Sequence, residues 1–147
     1  MSDKDYDDLI SALMKEMGLE DEIKKDAIRG ILDKYCKKRG ILGIIISSLD
    51  GFTVSSCGEI FSKVENIDTL SSPLSVTLAT SMNMFMRYWK QETKYIIVVG
   101  AKFIMMSTPL FENYLVSFFF EKNVNMKEIC KLMSNLANEI KPHLVEG

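Results

Sequence analysis

The chain has 147 residues, a formal net charge of -2, 47% hydrophobic and 26% charged residues. That length suits one domain, burying roughly 70% of the surface its unfolded chain would expose, without help from disulfides or metal. The composition excludes disorder for the bulk of the chain. The basic residues are dispersed, and the densest cluster, Lys34, Lys37, Lys38 and Arg39, sits beside Asp33 near a helix end, where cations suit the dipole. No basic stripe with aromatic platforms stands out, so nucleic acid is not an expected partner.

Three widely spaced cysteines, Cys36, Cys57 and Cys130, form no C-x-x-C pair. Their number and spacing argue against a disulfide framework and against zinc. The acidic start, Met1-Ser2-Asp3-Lys4-Asp5, is not followed by an apolar run, so no secretory signal is expected. Ser2 excludes myristoylation and Val145-Glu146-Gly147 is no prenylation box. A reducing, cytoplasmic setting is the expectation. Residues 69–86 carry no charge, but their serines, threonines, Pro73 and Asn83 do not make the ~20 predominantly apolar residues of a membrane span, so no membrane insertion is expected.

In chain order, Leu9, Ile10, Leu13, Met14 and Met17 recur at helical spacing and predict a helix over 5–17, ended by Gly18. A second helix over 20–38 has Ile23, Ala27, Ile31 with Leu32, and Tyr35 as its stripe, and Gly40 closes it. The period then becomes extended. Ile44-Ile45-Ile46 marks a strand over 42–48, Asp50-Gly51 predicts a type I′ hairpin turn, and 51–56 returns. Residues 57–70 read as an irregular loop. Ser71-Ser72-Pro73 opens a helix reaching Gln91, with a serine as its cap. Strands follow at 95–99, 102–108 and 113–121, joined by turns at Gly100-Ala101 and 109–112. A final helix after Asn125 has the stripe Ile129, Met133, Leu136 and Ile140, and Pro142 ends it. A five-stranded antiparallel sheet with helices on its faces is an α+β layer fold.

Catalytic constellations are not visible. The single histidine, His143, sits at the end of the last helix, which removes His-based triads and dyads. Asp3, Asp5, Asp7 and Asp8 read as acids complementing a helix N-terminus rather than a metal site. No phosphate-binding glycine motif occurs. Cys57 before Gly58 lacks a base to activate it, so it reads as a plain loop cysteine. Arg87 invites comparison with a residue that stabilises a transferring phosphoryl group, but an ordinary surface arginine at a helix end is the simpler reading.

The strongest clue is the helix at 73–91. Leu74, Leu78, Met82 with Ser81, Phe85 and Trp89 form the stripe expected to cover the sheet. The other faces, which should be charged if they met water, carry Val76, Ala79, Met84, Met86 and Tyr88 among small hydroxyls. Such composition suits the core of an interface. Cover by the N-terminal helix is the competing expectation. Ile96-Ile97-Val98-Val99 is apolar on both faces, so at a sheet edge it would call for a partner.

From about Ala27 to Leu144 the chain resembles the roadblock family, which includes dynein light chains, bacterial polarity-GTPase regulators and lysosomal scaffold subunits. The resemblance rests on Gly40-Ile41-Leu42-Gly43-Ile44-Ile45-Ile46, then Asp50-Gly51-Phe52-Thr53-Val54-Ser55-Ser56, a long uncharged helix, and the run from Tyr95 to Met106. A strand from Tyr114 to Phe120 and a last amphipathic helix complete it. It implies a profilin-like sandwich at 19–147 preceded by a helical extension at 1–18. It also implies a non-enzymatic, cofactor-free and metal-free module, paired with itself or with a related roadblock chain. A small Ras-like GTPase, or a motor or scaffold subunit, is the expected partner. The residues expected at the dimer or partner interface are Val76, Ala79, Thr80, Asn83, Met84, Met86, Arg87, Ile97 and Val99. The alternative function is a small-molecule sensor, with a pocket lined by residues 118–120 and the methionines.

Overall fold

A computed structural model of the chain describes residues 2–16 and 19–144. Two helices, α1 (Asp3–Glu16) and α2 (Leu19–Cys36), lead into the hairpin β1 (Ile41–Ser48) and β2 (Thr53–Cys57). A short 3-10 helix, Glu59–Phe61, precedes α3 (Asp68–Trp89). Then come β3 (Ile96–Val99), β4 (Phe103–Leu110), β5 (Tyr114–Glu121) and α4 (Met126–Leu144). The five strands form one antiparallel sheet in the order β2-β1-β5-β4-β3. The expected fold class is the one observed. The expected stop at Met17 and Gly18, and the side chain of Met14, lie outside the described residues.

Strand alternation sorts the sheet into two faces. On one, Ile44, Ile46, Val116, Phe118, Phe120, Ile104, Met106 and Leu110 meet α2 and α4 in a continuous core. The α4 stripe Ile129, Met133, Leu136 and Ile140 is buried as its period demands. On α2 the buried side chains are Ile28, Leu32 and Tyr35, while Ile23 is exposed, so the buried stripe runs one residue later than expected at its start. Burial, then Glu139 beside it, pushes the Tyr35 phenol up to about 12. On the other face Ile45, Leu115, Ser47, Ser107 and Ser117 are buried, and α3 lies across them with Leu78, Ser71 and Ser75.

Turns and helix ends depart from expectation where backbone geometry decides. Gly51 has φ +94°, but Asp50 keeps a negative φ, so the turn is not type I′. The Gly51 N–H donates to the Ser48 carbonyl at 3.0 Å and the Ser48 N–H to the Phe52 carbonyl at 2.8 Å, the pattern of a three-residue loop. A Cβ at Gly51 would sit 3.2 Å from the Ser72 backbone, so this glycine lets the hairpin tip approach α3. Pro109 lies inside β4 rather than in the turn, beyond the point where β3 begins opposite Ser107, so its missing N–H costs no ladder bond to β3. Pro142 does not end α4, which runs to Leu144. Ser71 is not a cap, because α3 begins at Asp68, whose N–H takes the Asn66 side-chain oxygen at 3.0 Å.

The cysteine spacing misled. Cys36 and Cys57 are joined by a disulfide across 21 positions, and Cys130 is free. Spacing along the chain carried no sign of it, because the fold brings the last residue of α2 over the last residue of β2, with Cα atoms 6.4 Å apart.

Candidate interaction site

The site is built on α3 and the edge strand β3. The N-terminal half of α3 is held to the first hairpin by hydroxyls rather than by apolar packing. Ser47 Oγ donates to Ser71 Oγ at 2.9 Å, and Ser71 and Thr53 hydroxyls are 2.7 Å apart. The Thr53 N–H donates to the Asp68 carboxylate at 2.7 Å, and Ser75 Oγ donates to the Ser48 carbonyl at 2.8 Å. With Ser47 donating, the chain of hydroxyl protons runs toward Asp68. Bonds from the Thr53 hydroxyl and then its N–H hold that carboxyl below the ordinary carboxylate value. Each hydroxyl in the buried stripe therefore has a partner, which is why serines can replace apolar residues there.

All nine residues expected at the interface are exposed. Val76, Thr80, Asn83 and Arg87 recur at i, i+4, i+7 and i+11 and form one ridge opposite the Leu78 stripe. Ala79 and Met86 flank it on one side and Met84 on the other. Val76 is 62% exposed, so among the described residues nothing covers this ridge. The N-terminal helix does not provide the cover. The apolar side chains of α1, Tyr6, Leu9, Ile10 and Leu13, are themselves exposed, and α1 packs near α2. Arg87 lies over the Tyr88 ring, 5.7 Å from its centroid, on this open side.

The two strand residues are not on the same face as α3. Ile97 pairs with Met106 and Val99 with Ile104, whose side chains belong to the core under α2 and α4. Ile96 and Val98, opposite Ser107 and Met105, share the α3 face. The structure thus brings seven of the nine residues together and sets Ile97 and Val99 across the sheet edge. β3 pairs with β4 alone, so its outer backbone groups have no strand partner. All four of its side chains are at least partly exposed, Val99 by 62%.

Two aromatic residues at the end of α3 belong to the patch, Tyr88, expected on the outer faces of the helix, and Trp89. Trp89, expected over the sheet, is 58% exposed and stacks edge-on with Phe85 at 5.6 Å between centroids. Tyr88 is exposed beside it, with ring centroids 6.1 Å apart, whereas Tyr95 lies on the other face of the sheet next to Cys130 of α4. The usable signal was the charge returning at Arg87 and Lys90, which marks the helix end leaving the sheet. Beside this end Met82, Asn83, Met86, Thr93, Pro109 and Phe111 line a groove of about 460 Å³. Of residues 118–120, expected to line a ligand pocket, Phe118 and Phe120 are fully buried in the core. Among the described residues no group of three or more His, Cys, Asp or Glu side chains comes together for a metal, and no helix is long and apolar enough to cross a membrane.

No family model and no curated protein matches the chain by sequence. Solved structures do match by fold. Myxococcus xanthus MglB superposes with a TM-score of 0.71 at 15% identity, covering 78% of this chain and 92% of that one. A roadblock/LC7 domain from Streptomyces avermitilis gives 0.67 at 12% identity over 78% and 92% of the two chains. The gliding protein MglB of Thermus thermophilus gives 0.69 at 11% identity over 82% and 90%. These superpositions show that this chain has the roadblock fold.

Proposed function

We propose that this chain is a non-catalytic, cytoplasmic interaction module. It pairs through α3 and β3 with a second copy or a related roadblock chain, and the pair binds and regulates, or scaffolds, a small Ras-like GTPase. The observation that carries the reading is the ridge of α3, uncharged as far as Arg87, standing uncovered beside an open sheet edge. Edge-to-edge pairing of β3 would satisfy its free backbone and bury Ile97 and Val99 on one face with Ile96 and Val98 on the other. Two α3 ridges would then face each other around the same two-fold axis. An MglB of the same fold is described with a tetrameric arrangement, which supports self-association for this fold. GTPase partnership is what the roadblock resemblance implies, and a gliding protein among the structural neighbours is in keeping with it. A small-molecule sensor is supported less, because the interior face of the sheet is filled.

Light scattering across a concentration series tests the first half of the proposal. A mass of two chains that persists on dilution is expected, and a monomer at all concentrations would refute pairing. Pull-down of a panel of small GTPases in both nucleotide states tests the second half. Preference for one state is expected, and equal or absent binding across the panel would refute GTPase regulation while leaving the pairing result standing.

A further inference from the structure

We infer that the Cys36–Cys57 bond is a thiol–disulfide exchange site, opened from one side by low-molecular-weight thiols, and that it latches the segment between β2 and α3. This rests on a part of the molecule other than the α3 ridge and β3, and does not depend on the proposed function.

The two sulfurs are not equivalent. Cys36, at the end of α2, is half-buried and lines a cavity of about 630 Å³ with Leu42, Gly58, Glu59, Ile60 and Phe103. Cys57 is buried and is not part of that lining. A thiolate entering the cavity therefore reaches Cys36 before Cys57. Exchange needs an attacking thiolate, an accessible sulfur and a leaving group. The incoming sulfur bonds to Cys36 Sγ, the Cys36–Cys57 bond breaks, and Cys57 leaves with the electron pair. Cys57 then takes a proton. Its Sγ lies 3.3 Å from the Leu32 carbonyl oxygen, which can accept a hydrogen bond from the new thiol. A second thiolate attacks the small thiol's sulfur in the mixed disulfide and releases Cys36. The balance is one protein disulfide and two small thiols giving two protein thiols and one small disulfide, and the reverse sequence closes the bond.

What the bond restrains follows from the fold. β2 is an edge strand, and residues 58–67 after it contain three residues of 3-10 helix. That segment has a second anchor in Phe61, buried over Gly43 and edge-on to Phe119 at 5.3 Å between centroids. At Gly58, φ is +109° and a Cβ would fall 2.3 Å from the Leu42 carbonyl oxygen, so the chain leaves the disulfide along one narrow path. Opening the bond frees the start of this path while the core under α2 and α4 stays packed.

The test uses the full native chain with glutathione. Graded ratios of reduced to oxidised glutathione are equilibrated, quenched by alkylation and mapped by peptide mass. The expected intermediate carries glutathione on Cys36 and the alkyl group on Cys57. An adduct on Cys57, equal adducts on both, or no reduction without denaturant would overturn the assignment. Hydrogen exchange reads the latch: amides of 58–67 should exchange at least tenfold faster in the reduced chain, with those of β1 and β5 unchanged. Unchanged exchange at 58–67 would overturn the latch. Cys57→Ser should accumulate the Cys36 adduct; should that variant not fold, the native-chain quench decides alone.

Discussion

The two faces of this sheet are closed in different ways. Under α2 and α4 the side chains are large and apolar, and Phe118, Phe120, Leu136 and Ile140 are at or near zero exposure. Under α3 the buried stripe is Leu78 with Ser71 and Ser75, and the helix is held by hydroxyl bonds to one hairpin. Hydrophobic burial is non-directional, whereas hydroxyl bonds fix geometry with a modest net gain each. The first face therefore supplies stability and the second supplies a positioned surface, with the ridge Val76, Thr80, Asn83 and Arg87 presented outward.

The largest effect should come from breaking the first face. Phe118→Ala should cost about 3–5 kcal/mol, since a large side chain is lost from a site packed on every side. Denaturant unfolding followed by circular dichroism checks it. The comparison fails should Leu78→Ala on the second face cost clearly more.

Ser71→Ala is the next in size. It leaves the hydroxyls of Ser47 and Thr53 without their shared partner, and the expected cost is about 1–3 kcal/mol. A structural-role substitution of this kind should also raise hydrogen exchange in the first turns of α3. A loss below the error of the unfolding curve would mean that the apolar contact of Leu78 alone holds the helix.

How far the sequence exposed these faces differs for the same physical reason. The α4 stripe was legible because apolar period and burial coincide, and the charge-free faces of α3 were legible because water-facing helices carry charge. Ser71 and Ser75 were not, since a buried serine looks like a surface serine until its partner is known. Ile97 and Val99 were expected at an interface from the apolar run of their strand, and the register with β4 was needed to show that they face α4's side of the sheet. The Cys36–Cys57 bond joins elements whose proximity is a property of the whole fold. The roadblock resemblance rests on element order, and the solved structures share the fold at 11–15% identity.

Surface substitutions sharpen the contrast at a smaller cost in stability. Met84→Glu on α3 and Val99→Lys on β3 touch exposed side chains, so each should change monomer stability by no more than about 0.5 kcal/mol. Under the pairing proposed above, each should instead lower the solution mass from two chains to one at micromolar concentration. Light scattering of the two variants separates the elements. Loss with Met84→Glu but not with Val99→Lys would assign the contact to the α3 ridge without strand pairing.

The smallest effect is electrostatic and sits at the base of the hydroxyl chain. The Asp68 carboxyl is held low first by the Thr53 hydroxyl and then by the Thr53 N–H, with burial opposing. A group whose folded pKa lies below its unfolded value stabilises the fold above the unfolded value, about 3.9 for an aspartate, and the gain disappears as pH falls through the folded value. The native chain should therefore lose a small stability increment on acidification below about pH 4. Asp68→Asn, whose amide oxygen still accepts but carries no charge, should lack that increment at neutral pH and converge with the native chain in acid. Melting curves of both chains between pH 7 and pH 3 test this. Parallel curves across the whole range would mean that the Thr53 bonds are equally strong to a neutral acceptor, and that the charge of Asp68 does not polarise the hydroxyl chain holding α3.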